Sequence, residues 1–187
     1  MTWGPPEREL LMKCLKIVAG FGSFLAAPFL FSGSAQATDI SGTIATTLTI
    51  MENSRLVDDV TCTVTGAPCI AFGAPSLTLD LNGYGVTGLA DVATTCSGGP
   101  TTLVPPAVED GIDFNGQANG TVRGPGVVQL FRGPGIFSLN TNGVTVMGVT
   151  TANNCMSGIL VGGGSGHTVN DNIAVRNGNR TQPCGGI

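Results

Sequence analysis

The stretches that decide the fold are GIFSL at residues 135–139 and GILV at residues 158–161, which place the same Gly-Ile pair 23 residues apart. The pair also stands at residues 111–112 and 186–187, so the isoleucines follow one another at intervals of 24, 23 and 28 residues. A second series keeps this interval: Val122, Val146 and Val169, each preceded by a threonine, are 24 and 23 residues apart. Two independent series with one period indicate a chain built from repeated supersecondary units.

Each unit reads as short β-strands joined by tight turns. Apolar residues alternate in LTLDL at residues 77–81 and in VTV at residues 144–146, which is the period of a strand. The 29 glycines and the asparagines separate these runs, and both residue types tolerate the positive φ of a sharp corner. No window carries the apolar stripe of a helical repeat. We therefore predict an all-β solenoid of parallel strands, in which each coil stacks its apolar residues on those of the coil before.

Asparagine side chains are expected to stack their amides along the corners of this solenoid. The residues in question are Asn140, Asn142, Asn153, Asn154, Asn170, Asn172 and Asn177.

Residues 77–88, LTLDLNGYGVTG, resemble the opening coil of bacterial right-handed β-helix repeat proteins. The wider group is the pectate-lyase-like superfold with its carbohydrate-binding and sugar-hydrolase domains, and the likeness covers residues 48–187. The resemblance implies a short right-handed parallel β-helix that interacts with carbohydrate, and it gives Asp80 a structural, hydrogen-bonding role. No catalytic motif of an enzymatic branch can be matched residue by residue, so only the architecture is carried over.

The N-terminus has the pattern of an export signal. Lys13 and Lys16 precede an apolar run over residues 17–31, and SAQA at residues 34–37 has small residues where an A-x-A cleavage site needs them. We predict a helical signal peptide over residues 1–37, with Met12 as an alternative start because Glu7 and Glu9 fit a basic leader badly. A retained membrane anchor or a buried helix is the other interpretation. Removal of the signal leaves a mature chain of residues 38–187, which we expect to be secreted, periplasmic or on the cell surface. This mature chain is predicted to have no stable membrane span.

Export permits disulfides, and Cys62 and Cys69 are the best candidate pair because they lie close together in a turn-rich segment. The pairing of Cys96, Cys155 and Cys184 stays open. Eight Lys and Arg against twelve Asp and Glu, without a basic patch, give no reason to expect a nucleic-acid partner.

Residues 89–110 interrupt the repeat and are predicted to form a loop excursion from the coil, at the end of which lies an acidic group. Glu109, Asp110 and Asp113 form this group. Paired carboxylates can act as acid and base on a glycosidic bond, or bind calcium. The alternative is a solvated loop end that leads into a strand.

Arginines are the other candidates for chemistry on an acidic sugar. Arg123, like Arg132, Arg176 and Arg180, has the charge to bind a uronate or stabilise a carbanion-like state, and surface charge is the alternative. Glu109, Asp110, Asp113 and Arg123 are thus weak catalytic candidates, and the catalytic residues stay unknown.

The sequence indicates no cofactor and no metal site beyond the calcium alternative. His167 is the one histidine, although Met147, Met156 and Cys155 are donors that suit Cu(I). The glycine run at residues 162–166 lacks the aspartate of calcium-binding nonapeptides and is predicted to be a flexible corner.

Three functions remain open at this stage. The first is an exported carbohydrate-interacting or surface module without a catalytic site, with a polysaccharide or cell-surface glycan as partner. The second is the N-terminal part of a polysaccharide lyase, hydrolase or epimerase, and the third is a periplasmic metal-delivery accessory protein. Residues 185–187 read as the start of another coil, which suggests either a fragment of a longer β-helix or end-to-end self-association.

Overall fold

The computed structural model describes residues 36–90 and 109–178, and every helix or strand within those two ranges is a β-strand. The strands are β1 (Thr38–Ile44), β2 (Leu48–Ile50), β3 (Ser54–Cys62), β4 (Ile70–Phe72), β5 (Thr78–Asp80), β6 (Gly85–Thr87), β7 (Ile112–Asp113), β8 (Thr121–Arg123), β9 (Val127–Gln129), β10 (Ile136–Leu139), β11 (Thr145–Met147), β12 (Thr150–Ala152), β13 (Ile159–Gly162), β14 (Thr168–Asn170) and β15 (Ile173–Val175). The predicted all-β class is confirmed for these residues.

The strands stack in three columns, and the pairing is parallel throughout the described ranges. The first column is β5, β8, β11 and β14, the second is β6, β9, β12 and β15, and the third is β2, β4, β7, β10 and β13. The long strand β3 joins the first two columns into one sheet, because β5 pairs with its beginning and β6 with its end. The chain visits the third, first and second columns in turn, which is the path of a solenoid.

The register of the columns follows the sequence repeat. Ile136 is paired with Ile112 on one side and with Ile159 on the other. Val146 is paired in the same way with Val122 and Val169. Residues about 23 apart in sequence therefore lie directly over one another, as the two series predict.

Apolar side chains fill the inside of the coils. Ile112, Ile136 and Val146 are fully buried, and the rings of Phe72 and Phe114 stack with centroids 4.7 Å apart. Each such side chain contributes roughly 1.5–3 kcal/mol by leaving water. No single coil can bury these faces alone, so the stability of the fold comes from coil-to-coil contact.

Asparagines hold the corners together. Asn154 is fully buried: its Oδ1 accepts from the N–H of Phe131, and its Nδ2 donates to the carbonyl of Val128 and to Oδ1 of Asn177. The predicted amide stacking is thus present between Asn154 and Asn177. Asn172 instead bonds the backbone of the coil before, through Val146 and Val149.

A disulfide joins Cys62 at the end of β3 to Cys69 just before β4, with the Cα atoms 6.0 Å apart. Cys155 is disulfide-bonded as well.

Several sequence predictions fall outside the described ranges. These are the signal peptide over residues 1–37 except its last two residues, most of the excursion at 89–110, and the predictions for Cys96, Arg180, Cys184 and the final Gly-Ile pair. Ala90 and Glu109, at the two ends of the excursion, still bond to the next coil through Leu130 and Gly133. No helix within residues 36–90 and 109–178 is long and apolar enough to cross a membrane.

Candidate functional site

The acidic group predicted from the sequence lies at a corner where three coils meet. The carbonyl of Asp110 accepts from the N–H of Cys69 in the coil before (2.9 Å), and the carbonyl of Glu109 accepts from the N–H of Gly133 in the coil after (3.0 Å). We call Glu109, Asp110 and Asp113 the acidic corner. Its backbone is fixed on both sides by the parallel stacking.

Glu109 is engaged in an ion pair. Its carboxylate lies 2.9 Å from Nη1 of Arg132 and also accepts from the N–H of Gly66 at 2.8 Å. The side chains of Glu109 and Arg132 are only 12% and 26% exposed. The bond from Gly66 therefore ties the corner to the disulfide loop, and Arg132 serves as an internal counter-ion.

Asp110 is buried instead of facing a groove. It is 1% exposed, and its Oδ1 has no hydrogen-bond partner. Burial, with a smaller contribution from the charge of Asp113, raises the pKa of Asp110 to about 8. Burial therefore favours the neutral form of the side chain, and no substrate in solvent can reach it in this conformation.

Asp113 lies on the outer face of β7 and is half-buried. Burial raises the pKa of Asp113, and the N–H of Asn115, which donates to its Oδ1 at 2.7 Å, partly offsets this effect. Its neighbours in the register are Ala71 and Phe137, so Asp113 lies between two apolar residues.

Arg123 belongs to a different part of the molecule. It lies on the outer face of the first column, whereas Asp113 lies in the third. Its Nε and Nη2 both bind Oδ2 of Asp80, at 2.9 and 2.6 Å. The structure thus does not join Arg123 to the acidic corner, and it gives Asp80 the bonding role that the family resemblance implies.

A shallow hollow opens beside Arg123 on this outer face. It has a volume of about 350 Å³ and is lined by Arg123, Gly124, Pro125, Met147, Gly148 and Asp171. The floor has little side-chain bulk because Gly124 and Gly148 approach each other there in adjacent coils. Met147, which is 36% exposed, supplies apolar surface, and Arg123 and Asp171 are the charged residues of the lining.

A column of threonines runs alongside the hollow. Thr78, Thr121, Thr145 and Thr168 are paired in register from coil to coil on the outer face of the first column. Parallel strands lie about 4.8 Å apart, so the hydroxyls repeat at that spacing. The sequence shows these threonines next to the repeating apolar residues. The strand register shows in addition that they lie above one another.

The soft-metal ligand set is not assembled in the described part of the chain. Within residues 36–90 and 109–178, no three His, Cys, Asp or Glu side chains converge to hold a metal ion. Nε2 of His167 is 2.9 Å from the carbonyl oxygen of Gly163, and Cys155 is committed to a disulfide. These contacts give the metal-delivery hypothesis no support.

Neither a family model, nor a curated protein, nor a solved structure matches this chain.

Proposed function

We propose that this protein is an exported right-handed parallel β-helix of the pectate-lyase-like kind, and that it binds a linear, uncharged glycan on the outer face of its first column. The observation that carries the proposal is the hollow at Arg123, Met147 and Asp171, whose lining combines apolar surface with a guanidinium and a carboxylate. Export rests on the leader over residues 1–37.

The chemistry of the hollow suits a sugar. The C–H face of a pyranose packs on apolar surface such as Met147, while its hydroxyls need both donors and acceptors, which Arg123 and Asp171 supply. Binding sites of small ligands combine mostly apolar walls with a few placed polar groups, and about 350 Å³ is at the lower end of their range. A short segment of a chain fits better than a large compact ligand.

The charge balance favours an uncharged glycan over a uronate. Arg123 already gives two of its N–H groups to Asp80, and Asp171, which accepts from the side-chain amide of Asn170, adds a second carboxylate. An acidic sugar would meet net negative charge there, and the whole chain also carries a net charge of -4. The charge balance thus weighs against an acidic-sugar clamp at Arg123.

The threonine column supports an orientation along the solenoid. Thr121, Thr145 and Thr168 offer hydroxyls at intervals of about 4.8 Å next to the hollow, and solenoids commonly bind along such extended surfaces. A glycan that lies parallel to the axis contacts several coils at once.

A catalytic role at the acidic corner has less support. Asp110 is buried and Glu109 is paired with Arg132, so the acidic corner offers no accessible carboxylate pair for glycoside cleavage.

The test is glycan binding by the exported chain, measured by affinity electrophoresis and calorimetry with a soluble linear β-glucan and with polygalacturonate. Met147→Asp places a charge in the lining of the hollow and should weaken β-glucan binding at least tenfold. Leu139→Asp, an equally drastic change at a 42% exposed residue of the third column, is the matched control and should leave binding intact. Binding to neither glycan, or equal losses in the two variants, would overturn the proposal.

A further inference from the structure

Asp110, a carboxylic acid buried inside the acidic corner, is unusual because it forms no ion pair with a cationic side chain. Asp110 is 1% exposed with an unpartnered Oδ1, and that oxygen lies 2.6 Å from the position where a side chain on Gly133 would begin. The corner thus closes on the carboxyl group without offering its Oδ1 a hydrogen bond. An ionised carboxylate in such a place lacks the hydration that water would give it.

The charged and titratable groups around Asp110 do not compensate for this burial. Arg132 in the next coil is bound to Glu109, and Asp113 on the same strand segment carries a charge of the same sign as an ionised Asp110. The coil before contributes Cys69, whose sulfur is in the disulfide, and the N–H of Gly66, which is used by Glu109.

We propose that Asp110 is a pH-sensitive lock. While its carboxyl group is neutral, the three coils that meet at residues 66–70, 109–113 and 132–135 stay packed together. Ionisation of the buried group draws water into the corner and loosens the backbone bonds from Cys69 to Asp110 and from Gly133 to Glu109. The lock is independent of the glycan hollow, which lies in a different column.

The sign of the effect follows from proton linkage. The pKa of Asp110 is raised to about 8 in the folded chain, whereas an unfolded aspartate has a pKa of about 3.9. Between these values the folded chain holds a proton that the unfolded chain has released, so stability falls as pH rises through this window and levels off above it. The solenoid is therefore favoured by a mildly acidic environment.

The experiment is urea unfolding of the exported chain at pH 5 to 9, with Asp110→Asn as the variant. Asparagine keeps the shape of the neutral acid and cannot ionise. The unfolding constant of the wild type should rise by about tenfold per pH unit between pH 5 and 7, which is the limit for one proton, whereas that of D110N should rise clearly less. At pH 8 the variant should be at least tenfold harder to unfold than the wild type. Coinciding pH profiles would overturn the lock.

Asp113→Asn is the matched control, because it removes the neighbouring charge and leaves the lock in place. The unfolding constant of D113N should still rise steeply with pH, but it should level off at a lower pH than that of the wild type. If D110N fails to fold, the Asp110 carboxyl carbon can be titrated by NMR in the wild type, where a midpoint below pH 5 would equally refute the proposal.

Discussion

Asp80 and Arg123 are 43 residues apart in the chain, yet they face each other on adjacent strands, and one oxygen of Asp80 accepts from both Nε and Nη2 of the guanidinium. Asp80 is also in register with Arg55, which binds Asp39 at 2.7 Å. Four charges of alternating sign therefore form one ladder on the outer face of the solenoid. A slip by one coil would set like charges opposite each other or leave them unpaired, so the ladder helps to specify the register.

Asp80→Asn tests the strength of this ladder. The amide oxygen can still accept from the N–H of Asn82, which bonds to Asp80 Oδ1 at 2.9 Å. An amide NH2 then replaces Oδ2, so the variant removes the charge and both hydrogen bonds from Arg123 while it keeps the local turn. Since the side chain of Arg123 is 54% exposed, we expect a loss of only about 0.5–1 kcal/mol of unfolding free energy, shrinking in high salt. The measurement is urea unfolding at two salt concentrations, with a double-mutant cycle through Arg123→Gln. A loss of several kcal/mol that salt does not reduce would mean that the ladder is a buried network.

Gly124→Ala tests how closely the coils approach beneath the hollow. A methyl group on Gly124 would overlap the carbonyl oxygen of Gly148 in the next coil, so the two coils must move apart. We expect a loss of about 1–3 kcal/mol, the usual effect of overpacking.

The control for this change is Gly85→Ala, in the second column. A methyl group there meets nothing closer than 3.5 Å, and the expected change is within about 0.5 kcal/mol. Thermal unfolding of both variants gives the comparison, and equal stability of the two would argue against the coil contact at Gly124.

Ser138→Ala is expected to stabilise the protein. Ser138 shares the inward face of β10 with Ile136, is 1% exposed, and its Oγ has no hydrogen-bond partner. Removing an unsatisfied buried hydroxyl recovers part of a desolvation cost of about 1–3 kcal/mol.

The same substitution at Ser54 gives the opposite expectation. Ser54 is equally buried, but its Oγ donates to the carbonyl of Glu52 at 3.0 Å, so S54A should lose about 1 kcal/mol. Urea unfolding of the two variants decides between them. Destabilisation by S138A of the same size as by S54A would show that Ser138 has a partner after all.

The sequence repeat was enough to predict the all-β class, the stacking of Ile136 on Ile159 and that of Val122 on Val146, because residues at equal steps of a solenoid must coincide. The repeat was not enough to predict which charged side chains pair with each other. Arg123 meets Asp80 across 43 residues, since the irregular segment after Ala90 intervenes between their coils.

The burial of Asp110 was likewise beyond the reach of pattern reasoning. Between Glu109 and Gly111 it reads as one more polar residue of a loop end. It is sealed because neighbouring coils, through Cys69 and Gly133, stack against its own backbone. A repeat predicts which residues of successive coils lie over one another, but it does not predict how tightly the corners close.

The most direct test of the solenoid is a methyl NOE experiment on deuterated protein with ¹³C-labelled isoleucine δ1 methyl groups. Coils about 4.8 Å apart should give strong cross-peaks between Ile112 and Ile136 and between Ile136 and Ile159, with a much weaker one between Ile112 and Ile159. Assigned resonances for all three residues without the two neighbour cross-peaks would contradict the stacking, and with it the account of the fold, the hollow and the lock.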